Sequence, residues 1–87
     1  MGAIMGLRLK ALREERDLTM DQVASDMNAK FNLNETDHPL NRSMISRWEN
    51  DKNDPSLENA KYLSQYFDVS LDYLIGLTDK RTPSRLK

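Results

Sequence analysis

The chain has 87 residues, no cysteine, and 13 Lys and Arg against 14 Asp and Glu, for a formal charge of −1. That length suits one small domain near the lower limit for stable folding without a crosslink, and the absence of cysteine excludes a disulfide and fits a reducing cytoplasm. No apolar run approaches the roughly 18 residues of a membrane span, and MGAIMG lacks the basic region and long apolar stretch of a signal peptide, so a soluble cytoplasmic protein is expected.

The apolar spacing is helical throughout, and nothing reads as a strand. Met5, Leu9 and Leu12 mark one face of a first helix at about residues 5 to 16, which also carries Arg8, Lys10, Arg13 and Arg16. Thr19 then reads as an N-cap, with Gln22 three residues on as in a capping box and Leu18 placed to staple onto Val23. The second helix that follows places Met20, Val23, Ala24, Met27 and Phe31 on its buried side.

The next stretch, NLNETDHPL (32–40), loses the periodicity, and Pro39 cannot donate a backbone hydrogen bond, so a loop is expected. Asn41 caps a third helix, RSMISRWEN, with Leu40 stapling onto Ile45. Ile45 and Trp48, three apart, form a narrow inward stripe, and Arg42, Ser43, Ser46 and Arg47 occupy a broad outer face. Ser56 caps a fourth helix with Leu57, Ala60, Leu63, Ser64 and Phe67 at core spacing. Ser70 caps a short fifth helix, Val69 staples onto Leu74, and Gly76 supplies a C′ residue.

Five short helices without a glycine-rich loop offer no phosphate cradle, no HExxH and no Cys/His cluster at metal spacing. His38, the one histidine, sits in the irregular acidic loop and reads as a solvated residue. Enzyme activity, a cofactor, a metal and a small-molecule substrate are therefore not expected. Near-neutral charge weighs mildly against nucleic acid, since phosphate neutralisation supplies much of such affinity. The charges are unevenly distributed, however: bases cluster near the start and again at Lys80, Arg81, Arg85 and Lys87, with most acids between.

RLKALREERDLTMDQVA and then MISRWENDKNDPSLENAKYLSQYFDVSLDYLIG resemble the Cro and phage-repressor type of helix-turn-helix domain, the XRE-like regulators, over about residues 6 to 76. The resemblance implies an all-α, compact five-helix lambda-repressor-like DNA-binding domain, with residues 1–5 as an N-terminal arm and 77–87 as a basic tail or linker. It also implies that the third helix lies in the DNA major groove. Asn41 opens this recognition helix. Arg42, Ser43 and Met44 lie on its outward N-terminal part, Ser46 and Arg47 on the next turn, and Ile45 and Trp48 at core positions. The set expected at the duplex is completed by Thr19 and Gln22 at the start of the second helix and by Asn50 and Lys52 at the end of the third. Arg42 and Arg47, five apart and roughly 140° around the helix, flank the exposed surface. Either suits guanine O6 and N7, Ser43 several bases, and Met44 a thymine methyl, whereas Lys52 is expected to touch only the backbone.

Two departures from the family pattern stand out. Met20 follows the Thr cap where Gln is usual, although main-chain amides at Thr19 remain suited to a phosphate. Ala24 and Ile45 stand 21 positions apart where about ten is usual, so the turn inside the helix-turn-helix is extended by about eleven residues. With Glu35 and Asp37 repelled by phosphate, that loop is expected to point away from the duplex, to lack core residues, and to tolerate deletion of 33–38. Arg8 and Glu49 occupy positions that often form a buried ion pair in this family.

The implied function is sequence-specific binding of a palindromic double-stranded operator by a phage or bacterial transcriptional regulator, a repressor, acting as a weak homodimer. Pairing is expected around Leu71, Tyr73, Leu74, Ile75 and Leu77. The alternative is an antitoxin-like or regulatory protein-binding module on the same fold, which the acidic insertion and near-neutral charge favour.

Overall fold

The computed structural model describes residues 3–83. Among them are five α-helices and one 3-10 turn: α1 (Ala3–Glu15), α2 (Met20–Lys30), the turn Leu33–Glu35, α3 (Arg42–Glu49), α4 (Leu57–Phe67) and α5 (Leu71–Leu74), with no strand. Residues 3–5, expected as an arm, form the first turn of α1. Residues 1–2 of that arm and 84–87 of the tail lie outside the described residues.

Local side-chain chemistry sets the helix starts. Thr19 Oγ1 accepts from the Gln22 amide at 3.0 Å while Gln22 Oε1 accepts from the Thr19 amide at 2.7 Å, a complete capping box. Asn41, Ser56 and Ser70 each accept from the amide three residues on. The ends are closed as regularly. Asp17, Asp51, Asp68 and Gly76 take positive φ, and the amide after each reaches back five residues to Arg13, Arg47, Ser64 and Asp72. This is the Schellman arrangement, with Asp at three of its four left-handed positions.

The core joins Met5, Leu9 and Leu12 of α1 to Val23, Ala24 and Met27 of α2, Ile45 and Trp48 of α3, Ala60, Leu63 and Phe67 of α4, and Leu74 of α5. Leu57, expected at a core position, is 76% exposed, because it is the first residue of α4 and projects beyond the other helices. The insertion is also more ordered than its sequence pattern suggests. Asn32 turns the chain in a left-handed conformation, the 3-10 turn folds back on α2, and Leu33 and Leu40 are both buried. The expectation that 33–38 carries no core residue therefore fails at Leu33: one inward side chain on a single tight turn needs no periodicity.

Helix α1 crosses the end of α3 at Gly6, where a Cβ would lie 2.7 Å from the carbonyl oxygens of both Trp48 and Glu49. Seven residues on, two turns along the same face, Arg13 meets Glu49 in a bidentate pair, Nε to Oε2 at 2.7 Å and Nη2 to Oε1 at 3.0 Å. Glu49 is buried as expected, but Arg13 takes the place expected for Arg8. Two residues after Gly6, Arg8 lies on the opposite side of α1, donating to the carbonyls of Tyr73 and Thr78 and pairing with Asp79 at 2.9 Å. The segment 78–83 runs back over the domain: Arg81 pairs with Glu15 and with the Tyr73 hydroxyl, the Ser70 amide donates to the Arg81 carbonyl, and Pro83 is buried.

Candidate nucleic-acid interface

On α3 the inward stripe of Ile45 and Trp48, joined by Glu49, leaves Arg42, Ser43 and Arg47 exposed and Met44 and Ser46 half-buried. A shallow cleft of about 370 Å³ is bounded by Met20, Arg42, Ser43, Ser46 and Arg47, so the start of α2 and the outer face of α3 form one surface. A second, of about 470 Å³, continues past Thr19, Asp17 and Asp21, sharing Met20 and Arg42 with the first. Met20, absent from the sequence-derived set, therefore joins the two together with Arg42. Its half-buried position immediately after a Thr cap is the signal that marks it.

The remaining expected residues are placed differently. Gln22, Asn41, Met44, Asn50 and Lys52 line neither cleft. Gln22 gives its side-chain carbonyl to the capping box, and Asn41 gives its own to the Met44 amide. Asn50 folds back, its Nδ2 donating to the Ser46 carbonyl at 2.8 Å and to Ser46 Oγ at 3.3 Å, closing the end of α3. The Lys52 amide completes that closure on the Arg47 carbonyl, leaving the ammonium side chain exposed. At the start of α2 the capping box serves the amides of Thr19 and Gln22, so those of Met20 and Asp21 are the open donors of that helix, beside the Asp21 carboxylate.

Electrostatics divides the six described arginines into two groups. Arg8, Arg13 and Arg81 are held by carboxylates and main-chain or hydroxyl oxygens, and Arg16 donates to the carbonyls of Tyr66 and Phe67 at the end of α4. The Glu49 hydrogen bond raises the Arg13 pKa, and the Glu15 hydrogen bond raises that of Arg81. Arg42 and Arg47 alone make neither a side-chain hydrogen bond nor a salt bridge among the described residues, and they stand on the outer face of α3 at the rim of one cleft. A larger cleft of about 550 Å³ opens elsewhere, among Lys30, Lys61, Ser64 and Pro83, and shares no residue with this surface.

Comparison with known proteins gives the same outline. A family described as a helix-turn-helix domain matches residues 6–80. An uncharacterized HTH-type transcriptional regulator, YobD of Bacillus subtilis (strain 168), is 32% identical over 76 residues, which is 87% of this chain and 58% of that protein. The HTH-type transcriptional activator BcrR of Enterococcus faecalis is 31% identical over 69 residues, 79% of this chain and 28% of that protein. The chain thus spans little more than half of one of these relatives and under a third of the other. No solved structure matches it significantly.

Proposed function

Because the chain belongs to the helix-turn-helix domain family, we propose that it is a DNA-binding regulator of transcription that places α3 in the major groove of double-stranded DNA. The observation that carries this reading is the division of the arginines: the two whose side chains the fold leaves without a hydrogen bond or salt bridge among the described residues are those on the exposed face of α3. Arg42, in the first turn, serves as a base reader, suited to guanine O6 and N7. Arg47, a turn further on, reads a second base or clamps a phosphate, with Ser43, Met44 and Ser46 between them. Asn41 holds the start of the helix, and the Thr19–Gln22 capping box fixes the start of α2, whose open Met20 and Asp21 amides face a phosphate. Asn50 and Lys52 contact the backbone beyond.

A palindromic operator bound by a weak homodimer is supported by an exposed apolar patch on α1 and just after α5. Tyr73 and Leu74 are buried, but Leu77 is 73% exposed beside Gly76, which lies against Ile4 of α1, and Leu7 is 63% exposed one turn along. That apolar patch suits a second copy of the chain. Occupancy of a promoter is enough for repression, the phage-type role assigned here, and the position of the operator sets the sign. An antitoxin-like protein-binding role is the competing reading, supported by the acidic residues Asp17 and Asp21 that border the second cleft.

Selection of bacterial genomic fragments, followed by a salt titration of the best fragment, tests the proposal. Site-specific DNA binding gives enrichment of particular sequences and an affinity that falls steeply with salt. Absence of enrichment, with only weak and sequence-independent retention, refutes it in favour of a protein partner.

A further inference from the structure

Asn28 is one of two buried polar or charged side chains among the described residues, 7% exposed on the last turn of α2. Both polar atoms of its carboxamide are engaged by a single residue across the insertion. Nδ2 donates to the Leu40 carbonyl at 2.9 Å, and Oδ1 accepts from the Leu40 amide at 2.8 Å. An asparagine side chain offers a donor and an acceptor side by side, as a neighbouring backbone does. Here it pairs with the residue immediately before the α3 N-cap, whose own side chain is buried. The eleven intervening residues, 29–39, are thereby bypassed: the path from α2 to the start of α3 runs through two short hydrogen bonds, not through the loop.

We propose that Asn28 is a positioning residue for the recognition helix, replacing the tight turn that usually fixes one helix against the other and insulating α3 from the conformation of the loop tip. This rests on the DNA-binding reading above. Arg42 lies two residues beyond Leu40, and a base-reading side chain has to be held to within about 0.5 Å of its productive place. Without the clamp, α3 keeps its hydrophobic seat through Ile45 and Trp48, but its first turn loses a fixed origin.

The test compares Asn28→Ala with a tip variant carrying Asp37→Gly and His38→Gly, using a duplex selected from genomic fragments and an unrelated duplex of equal length. Affinity is measured at a temperature where circular dichroism shows each protein folded. Positioning predicts at least a tenfold loss for Asn28→Ala on the selected duplex, with less than twofold change on the unrelated one. The tip variant should stay within twofold on both. A purely stabilising role leaves all the folded proteins alike, so an Asn28→Ala affinity within twofold of wild type overturns the proposal.

If Asn28→Ala does not fold, Asn28→Asp decides. Burial raises the pKa of a carboxyl group, and the neutral acid offers the same donor and acceptor as the amide, whereas the carboxylate has no donor. Selected-duplex affinity relative to wild type at each pH should therefore rise between pH 8 and 5.5, and a flat ratio refutes the clamp. Amide exchange separates this failure from failure of the DNA reading. In either variant, exchange at Leu40 and Met44 should accelerate at least tenfold while α1 and α4 keep their protection, with or without any duplex. Unchanged exchange there overturns the positioning claim, whereas accelerated exchange in a protein that selects no DNA overturns only the DNA reading.

Discussion

Replacing Glu49 with alanine should destabilise the domain severely without altering the outer face of α3. The Glu49 side chain is 2% exposed and that of Arg13 13%, and the pair is bidentate at 2.7 and 3.0 Å. Removing one member of a buried ion pair costs about 3–5 kcal/mol, chiefly by stranding the other charge. Arg13 retains its bond to the Leu18 carbonyl at 2.9 Å and borders an open cleft, which places the cost at the lower end, about 3 kcal/mol. In a domain of this size each kcal/mol moves the melting temperature by about 4–8 °C, so Glu49→Ala should melt roughly 12–24 °C lower by far-UV circular dichroism. The double variant Arg13→Met with Glu49→Met, which removes both charges and keeps volume, should recover most of that loss. A Glu49→Ala protein melting within about 4 °C of wild type, or a double variant no better than the single one, would refute the buried-pair reasoning.

The other predictions concern the groove face, the helix crossing and the tail. On a selected operator, Arg42→Ala should cost about 1–3 kcal/mol and relax preference at one position per half-site, while Lys52→Ala should weaken all sequences alike and reduce the salt slope by about one. Full retention of affinity and preference by Arg42→Ala would place the reading face elsewhere. Gly6→Ala sets helix propensity, which favours alanine by about 1 kcal/mol, against a Cβ placed 2.7 Å from two carbonyl oxygens. The contact should win and the melting temperature fall; a rise would mean that the α1–α3 crossing is looser than described. The Arg81 hydrogen bond holds the Glu15 carboxyl below its ordinary value. A depressed folded pKa contributes stability that is present above the unfolded value and lost as pH falls through the folded one, so the tail contact should persist at neutral pH and release only as pH falls below the ordinary glutamate range. An NMR titration should show the Glu15 midpoint rising in Arg81→Ala, and an unmoved midpoint would refute the assignment.

The parts of this architecture that could be read directly from the chain are those written within three or four residues. Thr19 with Gln22, and the caps Asn41, Ser56 and Ser70, sit where the sequence places them because each needs only its own amide three residues on. The outer face of α3 follows from the Ile45 and Trp48 stripe for the same reason. Rotation of one helix against another was less accessible: Arg13 and not Arg8 reaches Glu49 because it shares a face with Gly6, a spacing visible in the sequence only after Gly6 is known to be the crossing point. Leu33 escaped because a lone apolar residue on a 3-10 turn has no partner at helical spacing. Asn28 did leave a signal, standing four residues after Ala24 on the apolar face of α2, where a carboxamide requires a buried partner.

The closed helix ends bear on how the chain reaches this state. Four helices begin on a side-chain cap and four end on a Schellman closure, so most boundaries are defined by contacts spanning three to five residues. Such segments have fixed lengths before they dock, and docking short helices requires little loop closure. Helical domains with mostly local contacts fold in microseconds to milliseconds. A temperature-jump experiment should place refolding in that range, with a single phase. A dominant phase of seconds would show that the long return from α2 to Leu40, the longest connection between consecutive α-helices, limits the rate.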